Sequence, residues 1–170
     1  MQRTYAKRKN TGFTTVELMI VVIIAGILAA IAAPSFSDLI NTTRLTSTMS
    51  QLTSDLNRAR GEAIKRNSWV LICARNTDTA CGTNWGNGWL VCQDSTSDGT
   101  DNCDSGTATN PNPITVHPNI KAPLTLTGSA ASLRFNPNGT GGPGTLNLVS
   151  GAKSRTANIV VTGNISVSNP

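Results

Sequence analysis

One carboxylate stands where a carboxylate is costly. Glu17 lies four residues beyond Phe13 in the run Phe13 to Ala33 (FTTVELMIVVIIAGILAAIAA), 21 residues with no other charge. An acid inside such a run costs roughly 2.5–3.5 kcal/mol on membrane-insertion scales, so a plain anchor would not need it. It becomes useful when a cation meets it, because the pair offsets part of the cost of burying either charge alone. The second chemical set is four cysteines, Cys73, Cys81, Cys92 and Cys103. Seven, ten and ten residues separate them, with no Cys-x-x-Cys pair, and His117 is the only histidine. That is poor zinc geometry, so no metal is expected. An even count in an oxidising compartment points to disulfides. Three pairings can be drawn. Cys73–Cys81 with Cys92–Cys103 is favoured, because each joins a strand to the loop after it, but sequence alone leaves all three open.

Other groups carry less. Asp94, Asp98, Asp101 and Asp104 crowd one stretch; their spacing does not match an EF-hand, and a solvated acidic loop is the expectation. Gly139 to Gly144 (GTGGPG) satisfies G-x-G-x-x-G in letters only. Pro143 removes an amide donor and no helix is expected to follow, so a dinucleotide site is not supported. His117 precedes Pro118 at a strand end and has no partner for acid–base chemistry in its vicinity of sequence. No nucleophile elbow, H-E-x-x-H or P-loop is present. The chain is expected to be no enzyme and to need no cofactor.

Three kinds of segment must hold these residues. Residues 1–12 (MQRTYAKRKNTG) carry Arg3, Lys7, Arg8 and Lys9 and no acid. The apolar run follows and Pro34 closes it; its length suits a bilayer-spanning helix with the cationic side in the cytoplasm. Beyond Pro34, apolar residues recur at Phe36, Leu39, Ile40, Leu45, Met49, Leu52, Leu56, Ala59, Ala63 and Ile64. Spacings of three and four predict one amphipathic helix face, ending near Asn67 with Lys65 and Arg66 in its last turn. Pro34 is expected to kink the helix. From Asn67 the pattern turns to short strands: 69–74, 88–92, 114–117, 124–126, 132–135, 146–149, 158–162 and 165–167. Val160 to Val167 is expected to be a hairpin turning at Gly163-Asn164. Residues 13–34 thus form a membrane half of one helix, and 35–170 one exported domain. Four of the 14 Lys+Arg lie in the first 12 residues, so the remainder is close to neutral and no strongly cationic nucleic-acid surface is indicated.

The order basic leader, Gly12, Phe13, Thr14, Glu17, apolar helix resembles the processing signal of type IV prepilins. Trp85-Gly86-Asn87-Gly88-Trp89-Leu90-Val91 with Asp94 and Asp98-Gly99, Phe135-Asn136-Pro137-Asn138-Gly139, and Ile159-Val160-Val161-Thr162-Gly163 are similar to the GspH/FimT/FimU group of minor pilins and pseudopilins. The resemblance implies an α+β type IV pilin fold, a long N-terminal helix packed on a C-terminal antiparallel sheet. It implies cleavage after Gly12 by a prepilin peptidase, methylation of Phe13, and pairing of Glu17 with a neighbour's terminal amine. It implies a precursor in the bacterial inner membrane with its domain in the periplasm, then a place in the pilus at the cell surface. Expected partners are other minor and major pilins and the assembly platform, with a role in a tip or priming complex. A type II secretion pseudopilin is the alternative. A DNA-binding competence pilin is another, but where such receptors carry G-R-x-R this chain has Gly163-Asn164-Ile165-Ser166, which leaves only Lys153 and Arg155 nearby as candidate phosphate contacts.

The mature protein is therefore expected to begin at Phe13. Intact mass or N-terminal sequencing of protein from its native cell checks this, and Gly12→Val should keep the leader attached. A terminus after Ala33 would contradict the assignment.

Overall fold

The computed structural model describes residues 12–94, 103 and 113–169, except the side chains of 32–35. The expected leader 1–11 and the acids Asp98, Asp101 and Asp104 lie outside these residues. The chain divides into two units between Ile40 and Asn41, each treated on its own.

Helix α1 runs Thr15–Arg66. Thr14 caps its start: the Glu17 N–H donates to Thr14 Oγ1 at 3.2 Å, which satisfies one of the free amides of the first turn. Pro34 lies within the helix; the bend expected there is a proposal resting on its missing N–H. The C-terminus has a physical stop. Asn67 adopts φ 50°, the Ser68 N–H reaches Ala63 O and the Asn67 N–H reaches Ile64 O. This is the left-handed cap that asparagine tolerates and most residues do not.

In the unit from Asn41 onward, Leu45, Met49, Leu52, Leu56, Ala59 and Ala63 are almost wholly buried. Their steps of four and three form a single stripe along the helix. Ile64, expected on that stripe, is instead 52% exposed, being one residue beyond it.

The stripe packs on two antiparallel sheets, where the sequence suggested one. The first holds β1 (Trp69–Arg75), β2 (Cys81–Gly82), β3 (Trp89–Asp94), β4 (Pro113–Val116) and β6 (Ser132–Phe135). Its order is β2-β1-β3-β4, with β6 also on β1. The second holds β5 (Leu124–Gly128), β7 (Gly144–Ser150), β8 (Lys153–Ile159) and β9 (Ile165–Ser168) in the order β5-β7-β8-β9. The unbroken apolar stretch of β1 is buried on both faces. Val70, Ile72 and Ala74 join the helix-side core, while Leu71 and Cys73 join a smaller cluster with Leu90, Cys92 and Cys103.

Strand β8 corrects the sequence reading. It covers Lys153–Ile159, not 158–162, because only alternate residues (Ala157, Ile159) reach the core and the others are polar. Val160 to Asn164 then form the loop to β9, closed by Gly163 N–H to Val160 O and Val160 N–H to Asn164 O. Gly163 is the residue that allows this turn. Its φ is 76°, and a Cβ there would lie 2.0 Å from Gly139 O.

Gly163→Ala in the fragment from Phe36 onward should therefore lose about 2–4 kcal/mol, from left-handed strain and a backbone clash together. Gly151 has φ 59° but open space around it, so Gly151→Ala should lose only about 1 kcal/mol. Urea unfolding of the two variants distinguishes them.

Candidate functional site

The assembly residues sit at the N-terminus. Gly12, Phe13 and Thr14 precede α1, and Glu17 occupies its first turn. There an acid faces the positive end of the helix dipole. Every described residue from Gly12 to Ile31 is exposed; Phe13 is 80% exposed. No part of this chain covers the span, although it is long and apolar enough to cross a membrane. An uncovered apolar helix of that length requires lipid or neighbouring helices around it.

In the unit from Asn41 onward, the tryptophan–glycine motif builds a corner. Trp85 to Asn87 form one 3-10 turn, and the Asn84 side chain accepts from the Gly86 N–H at 2.9 Å. Trp85 Nε1–H donates to Ala130 O at 2.9 Å, so a buried indole is satisfied. Gly88 has φ 89°, and a Cβ there would meet His117 O at 2.2 Å. That contact brings the segment after β4 against Trp89. Trp89 is fully buried; its Nε1–H donates to Asp55 Oδ2 at 2.9 Å, and its ring stacks on His117 at 3.7 Å and 10°. His117 Nδ1 lies 2.9 Å from Pro118 O, which can only accept, so Nδ1 carries a proton. Nε2 lies 3.0 Å from the Gln51 side-chain amide. Burial pushes the His117 pKa below its ordinary value; the Pro118 carbonyl and Asp55 oppose that, and Arg75 adds to it. Both ring nitrogens are engaged in holding α1 to this corner, which is a structural role.

The Asn-Pro-Asn-Gly segment is a second corner. Thr140 N–H donates to both Asn136 Oδ1 and Asn138 Oδ1, at 3.1 and 3.0 Å. Arg60 of α1 ties this turn to the C-terminal one, its Nε donating to Gly139 O at 2.9 Å and its Nη2 to Thr162 O at 3.2 Å. Asp94 is wholly buried and pairs with Arg134 at 2.7 Å. Sequence periodicity placed Asp55 and Arg60 only on the polar face of the helix. Both flank the buried stripe, and that flanking position was the one signal available.

The cysteines pair as favoured, Cys73–Cys81 and Cys92–Cys103. All four sulfurs lie within 4.8 Å of one another, but each is bonded to a neighbour, so no thiolate is available to a metal. Lys153 and Arg155 share one face of β8 with the buried Ala157 and Ile159. Lys153 Nζ donates to Thr42 Oγ1 at 2.7 Å, so it leans on the helix rather than standing clear as a phosphate contact.

The family pattern described as Type II transport protein GspH matches residues 48–164, from the buried helix stripe to the Gly163 turn. The chain belongs to the GspH family. The prokaryotic N-terminal methylation motif also matches, over residues 7–33, which places this GspH-family chain in the type IV pilin superfamily, in the GspH/FimT/FimU group. Two curated relatives named fimbrial protein, from Pseudomonas aeruginosa, are 43% identical over 72 residues. The match is 42% of this chain and 46% of each relative, so the chain spans less than half of their length. In fold, it is similar to crystal structures of the Pseudomonas aeruginosa type IV minor pilin FimU in two crystal forms. One aligns with TM-score 0.54 and 22% identity over 74% of this chain and 97% of that one. The other aligns with TM-score 0.56 and 22% identity over 76% and 94%.

The Trp89 corner generates a test in the fragment from Phe36 onward. Asp55→Ala leaves the buried indole N–H without its acceptor and should cost about 1–3 kcal/mol; Asp55→Asn should cost less. The depressed His117 pKa makes the unfolded chain bind more protons than the folded one below the ordinary 6.5. Its contribution is thus complete above that value and is lost as pH falls through the folded pKa. The wild-type urea midpoint should drop more than that of His117→Gln between about pH 7 and about pH 5.

Proposed function

We propose that this chain is a minor type IV pilin, made as a membrane-anchored precursor, cut after Gly12 and methylated at Phe13. One observation carries the reading. A single helix has a completely uncovered apolar half beginning at the processing motif, and a second half whose apolar stripe is fully covered by its own domain. The first half therefore needs neighbours, and the second half carries a finished surface for them to meet. Glu17 is the residue that directs the packing. In a bundle of apolar helices its carboxylate would pair with the Phe13 amine of an adjacent subunit, and that pairing selects an axial register.

The work is structural rather than enzymatic. In this reading the protein joins other pilins in a tip or priming complex, first at the inner membrane with its domain in the periplasm and later in the filament at the surface. Prepilin peptidase and the assembly platform are its partners in that passage. The family's description as a type II transport protein favours a second reading, a secretion pseudopilin. The fimbrial relatives favour the pilus. DNA capture is less supported, because Lys153 is engaged with Thr42 and Gly163-Asn164-Ile165-Ser166 carries no cation.

Glu17→Ala separates insertion from assembly. Membrane insertion should persist or improve, since the burial cost disappears, while the amount of this protein in sheared filaments should fall. Equal amounts in mutant and wild-type filaments would overturn the pairing role. Loss of protein secretion with normal pili, on deletion of the chain, would put the pseudopilin first.

A further inference from the structure

Charge is sorted by position in the unit from Asn41 onward. Arg44 and Lys121 line one groove of about 620 Å³ between the start of the unit's helix and the segment preceding β5. Thr43, Ser47 and Thr48 add hydroxyls to it. On the other flank of the helix, Lys153 reaches Thr42, with Arg155 two residues further along the same face of β8. The cross-strand row Leu124–Ser150–Lys153, together with the Leu124 N–H bond to Lys121 O, puts Lys121 and Lys153 at the same end of the second sheet. That end is where the helix enters the unit. The carboxylates among its described residues, Asp55, Glu62, Asp78 and Asp94, belong to later helix turns and the first sheet's side, and none lines this groove. In sequence the nearest acid is Asp38, just outside the unit.

Distance makes the placement meaningful. Arg44 follows Ala33, the last apolar residue of the run, by no more than about 16 Å of helical rise. A headgroup layer extends about 5–8 Å beyond the hydrocarbon, and the physiological Debye length adds about 8 Å. The cations at this end are therefore within electrostatic reach of a bilayer that holds the apolar run.

We propose that this cationic end is a docking surface for anionic phospholipid headgroups, with Arg44 and Lys121 holding a headgroup phosphate in the groove and Lys153 and Arg155 adding charge on the opposite flank. The proposal rests on the reading of residues 13–33 as membrane-spanning. It gives the precursor a seat on the bilayer before assembly: the domain is drawn to the surface of the membrane that anchors it. Hydroxyls beside paired cations are suited to a phosphodiester, which accepts hydrogen bonds and carries one negative charge. The phosphates of nucleic acid offer similar chemistry. The lipid surface is favoured because the cations gather at the apolar end of a chain that is otherwise close to neutral.

The test uses the full chain in vesicles of phosphatidylcholine, with or without phosphatidylglycerol. Flotation comes first: a chain that does not float with vesicles overturns the membrane reading and this proposal together. For a chain that floats, amide hydrogen exchange is followed at 41–48 and 117–124. Phosphatidylglycerol should slow it by about fivefold or more, the factor one cation near an anionic surface supplies. The protection should vanish at about 0.5 M salt and in Arg44→Gln/Lys121→Gln that keeps both disulfides. Should that double variant misfold, Lys121→Gln alone replaces it. Equal exchange in both vesicle types overturns the proposal, while leaving the membrane reading intact. So does protection by free inorganic phosphate or by duplex DNA in phosphatidylcholine vesicles that phosphatidylglycerol does not match.

Discussion

The structure depends on one stripe. Leu45, Met49, Leu52, Leu56, Ala59 and Ala63 repeat in steps of four and three, and the residues opposite them come from two different sheets: Val70, Ile72, Trp89, Val91 and Phe135 from one, Leu126, Leu146, Leu148, Ala157 and Ile159 from the other. Neither sheet has a complete core without the helix. Helical propensity adds little by comparison, since a helix in a protein is held mainly by burial of its apolar face. The two alanines at the end of the stripe let β1 and the Asn-Pro-Asn-Gly turn approach the last helical turns. Arg60, beside the stripe, then locks that approach by donating to carbonyls of two separate turns.

The far side of the first sheet is closed in another way. Strand β1 is buried on both faces, yet no second helix lies over its outer face among the described residues. Leu71, Leu90 and the paired cysteines form that layer. The disulfides are thus packing as well as cross-links: sulfur fills space over the strands, and each bridge restrains the unfolded chain. The same economy explains the buried Asp94. An acid without solvent is tolerable where Arg134 meets it at 2.7 Å, since removing one partner would leave an uncompensated charge.

The two halves of α1 answer to different surroundings. After Asn41 the helix is finished by its own domain. Before Ile40 it has no intramolecular cover, and its single acid is placed in the first turn. A monomer gains nothing from that arrangement; an inserted precursor and a packed filament both do, one through lipid and the other through neighbouring helices. Placing the cations Arg44, Lys121, Lys153 and Arg155 at the junction end fits the first of these states, because an anionic surface is close only while the apolar half is in the bilayer.

Much of this was legible in the residues because it depends on period and composition. The apolar run, the helix stripe from Leu45 to Ala63, the stop near Asn67 and most strands follow from spacing, and spacing is local. The Gly12-Phe13-Glu17 order and the tryptophan–glycine motif indicated the family for the same reason. What the residues could not show by themselves was anything set by distant partners. Strand β8 is polar at every second position and looked like loop until β7 and β9 paired with it. Three disulfide pairings were open until strand register brought Cys73 to Cys81 and Cys92 to Cys103. Asp55, Arg60 and His117 looked like ordinary surface groups, because their roles require Trp89, Gly139 and Gln51, which lie 34, 79 and 66 residues away in the chain. Local spacing determines which segments form; only the folded chain decides which of their polar groups meet.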